Sequence, residues 1–122
     1  MKKSLLILFF CLFICGCKKD KDIICKNKVV EDNFENSVEI TLKSKDDTVL
    51  EEELLSVYIF KNHESAEKNY EVISKQLEKD ETIKVETKGN KIIASGKKDV
   101  TDMNYDKKSK IAYYEKLGYT CR

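Results

Sequence analysis

Apolar and polar positions alternate where Val38, Ile40 and Leu42 are interleaved with Glu39, Thr41 and Lys43. This is the period-two pattern of a half-buried strand. Ser44-Lys45-Asp46-Asp47 then reads as a turn, because Ser and Asp side chains bond nearby backbone groups. Thr48 to Phe60 follows as a second, longer strand. Its first half carries Glu51, Glu52 and Glu53, and its second half, from Leu54, is apolar on both faces. That half is expected to be central, covered on both sides or by a helix on one side. Leu50, Leu54 and Leu55 would also suit a helix, but Val57, Tyr58, Ile59 and Phe60 favour a strand.

The period changes after Asn62, a plausible N-cap. Ala66, Tyr70, Ile73 and Leu77 share one face of a helix expected to run to Lys79. Glu64–Lys68 and Glu71–Lys75 pair on its outer surface. Ile83 and Val85 alternate with Lys84 and Glu86, and Gly89-Asn90 turns the chain into a return strand over Lys91 to Ser95. Met103 and Tyr105 lie in a connecting segment or a further edge strand. Asp106 can cap a last helix over Lys107 to Leu117, with Ile111, Tyr114 and Leu117 on one face and Gly118 ending it. The expectation is an α+β fold: an antiparallel sheet of about four strands in ββαββα order, with two helices on one face.

The start of the chain has a different character. Lys2 and Lys3 lead into an uncharged run from Leu5 to Ile14, followed by Cys15-Gly16-Cys17. A charged start, a short apolar core and a small residue are the parts of an export signal. Ten apolar residues as a helix cover about 15 Å, half of a hydrocarbon core, so a permanent span is disfavoured. The segment resembles a bacterial lipoprotein signal, which implies a lipid on the sulfur of Cys17 and cleavage just before it. Cys17 fits best because glycine precedes it. An ordinary cleaved signal and an uncleaved anchor are the alternatives. The expected organisation is therefore a signal peptide over 1–16, a lipidated cysteine and short tether over 17–24, and a single α+β domain over 25–122.

Without the signal, Lys2 and Lys3 drop out of the 23 basic side chains, leaving 21 against 22 acidic ones. A formal charge of about −1 provides no basic field for nucleic acid. Setting aside Cys11, Cys15 and Cys17 leaves Cys25 and Cys121, and an even pair in an exported domain reads as a disulfide, with two unpaired thiols as the alternative. The signal with Cys17, the two hairpins, the central helix and Asn104-Tyr105-Asp106 before the last helix together resemble the YehR-like family of small bacterial lipoproteins. That resemblance implies no catalytic residues and does not place Cys25 or Cys121.

Candidate chemistry is sparse. His63 is the only histidine and is expected to be a solvated residue at a helix start. Cys25 and Cys121 lack CxxC spacing, so neither zinc nor thioredoxin-like chemistry is favoured. No nucleophile elbow, phosphate loop or dinucleotide fingerprint occurs. Glu51, Glu52 and Glu53 on a strand cannot converge, because the middle one faces away from its neighbours. Asp99, Asp102 and Asp106 lack calcium-loop spacing. Tyr113 and Tyr119 are the candidate partner surface, in a C-terminal fifth rich in tyrosine. No cofactor or metal is implied. The expected function is that of an extracytoplasmic, membrane-anchored binding or interaction module at the cell envelope, held by its lipid and meeting an envelope protein or a small ligand. A solute-binding accessory is the alternative, and an envelope enzyme is a more distant one.

Overall fold

Residues 34–45 and 48–60 form the long central hairpin from which the rest of the sheet is built. The computed structural model describes residues 21–122, so the expected signal over 1–16 and the lipidation site Cys17 lie outside the described residues. Strands β2 (Phe34–Lys45) and β3 (Thr48–Phe60) pair antiparallel. Asp46 and Asp47, both at positive φ (52° and 66°), make the tight two-residue turn between them. Such a turn matches the twist of the flanking strands, and Asp tolerates the left-handed region better than most residues. Leu50 is bulged out of the β2–β3 register, since Lys43 pairs with Glu51 but Ser44 with Val49. The extra residue reverses the facing of everything before it, so Val49 points to the same side as Glu52 and Leu54.

The expected sheet of about four strands in ββαββα order is overturned. Among the described residues the sheet has seven strands, and the order of the elements differs. A strand β1 (Ile23–Val30) precedes the central hairpin and pairs with β2. Two-residue strands also flank the last helix: β6 (Tyr105–Asp106) pairs with the start of β3, and β7 (Thr120–Cys121) with β1. Strands β4 (Ile83–Lys88) and β5 (Lys91–Asp99) complete the antiparallel order β4-β5-β3-β2-β1-β7. Because β1 begins at Ile23, folded structure reaches into the stretch read from the sequence as tether.

Helix α1 (His63–Leu77) starts where the Asn62 side chain accepts from Ser65 N–H (2.8 Å). Helix α2 (Lys107–Lys116) starts where the Asp106 carboxylate accepts from Ser109 N–H (3.0 Å). Both lie on the same side of the sheet. Ala66, Tyr70, Ile73 and Leu77 of α1 pack on Phe60, Val85, Ile92 and Ala94. Ile111 and Tyr114 of α2, with Tyr119 beyond it, pack on Cys25, Ile40, Leu42, Val49 and Val100. Leu117 does not join that face: it is the C-cap of α2 and more than half exposed. Gly96 on β5 admits no side chain, because a Cβ there would overlap the Thr82 carbonyl as the α1–β4 loop crosses.

Cys25 and Cys121 form a disulfide that links positions 96 residues apart (Cα–Cα 3.9 Å). They face one another across β1 and β7. Ile24 and Arg122, one step along, exchange both backbone hydrogen bonds (2.8 and 3.0 Å). The cysteines therefore occupy a non-hydrogen-bonded pair, where facing side chains come closest.

Candidate functional site

The described helices cover one face of the sheet and leave the other open. On the open face, alternate β3 residues Leu55, Val57 and Ile59 make an apolar stripe, with Ile93 of β5 beside Val57. Charged residues border it in rows set by the register. Leu55 faces Glu39, which faces Lys26; Ile59 faces Glu35; Val57 faces Ser37, which faces Lys28. Lys28 reaches Glu35 (3.3 Å) and Lys26 reaches Glu39 (3.9 Å). Lys43 lies 2.7 Å from Glu53, which Lys97 approaches from the other side at 3.8 Å. The hydrogen bond between them raises the Lys43 pKa and holds the Glu53 carboxyl below the usual range. Exposed pairs of this kind contribute little to stability. Their effect here is to keep the border of the stripe charged and close to neutral.

Leu55, 42% exposed, stands between two hollows. One, of about 420 Å³, is lined by Lys26, Lys28, Ser37, Glu39, Leu55 and Val57. The other, of about 410 Å³, is lined by Glu53, Leu55, Lys84, Ser95 and Lys97. Volumes of this order suit a small ligand or the protruding side chains of a protein. The sequence signal for this surface was the second apolar face of β3. With both helices on the same side of the sheet, nothing described covers it.

The residues singled out from the sequence are distributed elsewhere. Tyr113 and Tyr119 lie on the helix side, away from the open face. Tyr113 is 54% exposed, with its ring edge-on to Tyr114 (5.1 Å). Tyr119 is packed against the Cys25 cluster and edge-on to Tyr114 (5.4 Å). Burial raises its phenol pKa. Sequence reasoning missed the polar centre of this region. Glu52 points among the helix residues, accepts from the Tyr114 hydroxyl (3.1 Å) and lies 2.9 Å from the Lys110 ammonium. Glu52 Oε2 has no aligned hydrogen bond, so the Lys110 charge is what offsets its burial. Lys110 is itself held over the ring of Tyr105 (4.4 Å) and near those of Tyr113 and Tyr114 (5.3 Å each). Burial first, and the Glu52 charge second, push the Tyr114 phenol well above its ordinary pKa.

His63 is exposed but bonded. Its Nδ1–H donates to Gly89 O (2.8 Å) at the β4–β5 turn, and Nε2 lies 3.2 Å from Glu67. The Gly89 bond, with the Glu67 charge after it, raises its pKa. Cys25 and Cys121 are joined to each other, so neither presents a thiolate to His63. Asp99 accepts from Thr101 N–H and Asp106 caps α2, so these carboxylates serve local turns. Among the described residues no three His, Cys, Asp or Glu side chains gather as a metal site, and no helix is long and apolar enough to cross a membrane. The chain matches no known family model, no curated protein and no solved structure.

Proposed function

We propose that this protein is an extracytoplasmic binding module, anchored by lipid on Cys17, whose working surface is the open face of the sheet. The observation that carries the reading is the uncovered stripe of Leu55, Val57 and Ile93, bordered by paired lysines and glutamates. A central apolar patch inside a charged rim is the usual arrangement of a protein-binding surface. The Cys25–Cys121 disulfide supports an oxidising compartment, and hence export. Five residues separate Cys17 from Ile23. At no more than about 3.4 Å each, they hold the first strand within about 20 Å of the membrane. Anchoring raises the effective concentration of the domain towards other envelope proteins, so a modest contact suffices.

The hollows beside Leu55 support a second reading, a solute-binding accessory that takes a small amphipathic ligand. One experiment separates the two. A photoreactive phenylalanine analogue at Leu55 in the full chain is expected to capture a specific envelope protein, and the same probe at Val72, exposed on α1, is not. Leu55→Glu should abolish the partner's co-purification without unfolding the domain. Equal labelling from Leu55 and Val72 would remove the open face as the working surface. Capture of a small molecule at Leu55 would favour the accessory.

A further inference from the structure

The two flanks of the apolar stripe on the open face are charged differently. On the β1–β2 side the lysines are matched, Lys28 with Glu35 (3.3 Å) and Lys26 with Glu39 (3.9 Å). On the β4–β5 side, Val85, Ile92 and Ala94 go into the core. Alternation then turns Lys84, Glu86, Lys88 and Lys91 to the open face with Ile93. All three lysines are exposed. Among the described residues none of them has a carboxylate within ion-pair distance. Three free lysines against a single glutamate leave this flank basic.

The register fixes where these charges stand. Lys84 lies across Ser95 from Leu55, Glu86 across Ile93 from Val57, and Lys88 across Lys91 from Ile59. Lys84 and Lys88 are four residues apart, about 13 Å along the strand. Lys84 lines the hollow of about 410 Å³ beside Leu55, together with Lys97 and Ser95. Glu53, at the border of the same hollow, is held by Lys43 (2.7 Å). Lys88 and Lys91 face one another directly at the Gly89-Asn90 turn, and like charges so placed destabilise a hairpin. Edge strands often carry lysine to deter a foreign strand. On β4 that role is already filled from behind. Ile83 N–H donates to Asp80 O (3.0 Å), Val85 N–H to Glu78 Oε2 (3.2 Å), and Val85 O accepts from the Tyr70 hydroxyl (3.2 Å). Lys91, on β5, is not at the edge at all.

We infer that the open face takes an acidic protein surface, with apolar side chains over Leu55, Val57 and Ile93 and two carboxylates about 13 Å apart on the β4–β5 flank. One carboxylate meets Lys84 at the hollow. The other sits between Lys88 and Lys91 and relieves their repulsion. Glu86, midway between, repels a third carboxylate there, so spacing is selected as well as sign. Against the matched β1–β2 flank the partner needs no charge. A soluble polyanion would supply the charge but leave the stripe uncovered. This partner chemistry rests on the open face being the working surface, and the test separates the two.

The full chain is used in the membranes of cells that express it, with the photoreactive phenylalanine analogue at Leu55. Lys84→Gln, Lys88→Gln and Lys91→Gln together are expected to lower the yield of the Leu55–protein adduct about tenfold. Lys26→Gln with Lys28→Gln should leave it within about twofold. A water-soluble carbodiimide, which joins an amine to a carboxylate without a spacer, is then applied to the chain with its native lysines. Peptide maps should show Lys84, and Lys88 or Lys91, linked to Asp or Glu of the captured protein, whatever the folding of the variants. If the adduct forms but survives the triple replacement, or falls equally with Lys26 and Lys28, the acidic partner is overturned and the open face stands. Carbodiimide links confined to Lys26 and Lys28 would overturn it in the same way. If Leu55 captures no specific protein, or only lipid or a wall polymer, both the partner and the protein-binding face fall.

Discussion

Glu52 shows how much a single position decides in this chain. It lies between two other glutamates, yet the strand turns it alone towards the helices, where its side chain and that of Lys110 are each only 17% exposed. A carboxylate so covered depends on its cation and on the Tyr114 hydroxyl. Lys110→Met should therefore destabilise the domain by about 2 kcal/mol, and Glu52→Gln added to it should recover part of the loss. Urea unfolding of the two single variants and the double checks this, and strict additivity would show that the pair is not coupled. His63 offers a pH test, because it is the sole histidine and its NMR titration is unambiguous. Its folded pKa is raised, first by Gly89 and then by Glu67, so the midpoint should lie above 6.5. The contact then contributes in full below the unfolded pKa and is lost as pH rises through the folded one. Glu67→Gln should move the midpoint down without abolishing the Gly89 bond.

At the scale of elements, the helices and hairpin turns were legible, the edge strand at Tyr105 was one of two readings of its segment, and β1 and β7 were not legible. Asn62 and Asp106 announce their helices because a cap is a local hydrogen bond, which the sequence carries without help from the fold. Strand β1 gives no such signal. Cys25 is its only buried residue, and Lys26, Asn27 and Lys28 follow it, so alternation is faint. Strands β6 and β7 span two residues each and exist because of what they pair with. The open face was half legible. The apolar residues on both sides of β3 could be read from the sequence, whereas the side on which the helices settle depends on the whole sheet. The β1–β7 pairing carries its own prediction. Replacing Cys25 and Cys121 together by Ala should cost up to about 4–5 kcal/mol and free the C-terminal tail. Thermal unfolding and amide exchange at Ile24 and Arg122 would register both effects. An unchanged melting temperature would mean that the disulfide contributes nothing to holding β7.

For the whole molecule, the proposed attachment at Cys17 would set an orientation. The Ile23 end of the sheet also carries the Asp46–Asp47 turn, β6 and the start of α2, and it is the end nearest the proposed anchor. The opposite end, with His63 and the Gly89 turn, would then project outward. With the strands standing away from a membrane so attached, the open face would be presented sideways to neighbouring envelope proteins. Everything in this arrangement depends on what is attached at Cys17, and mass spectrometry of the chain extracted from native membranes measures that directly. The proposed function predicts a polypeptide that begins at Cys17 and carries a diacylglyceryl group on its sulfur. A chain with that sulfur bare, whether still carrying residues 1–16 or released into the medium, would contradict it.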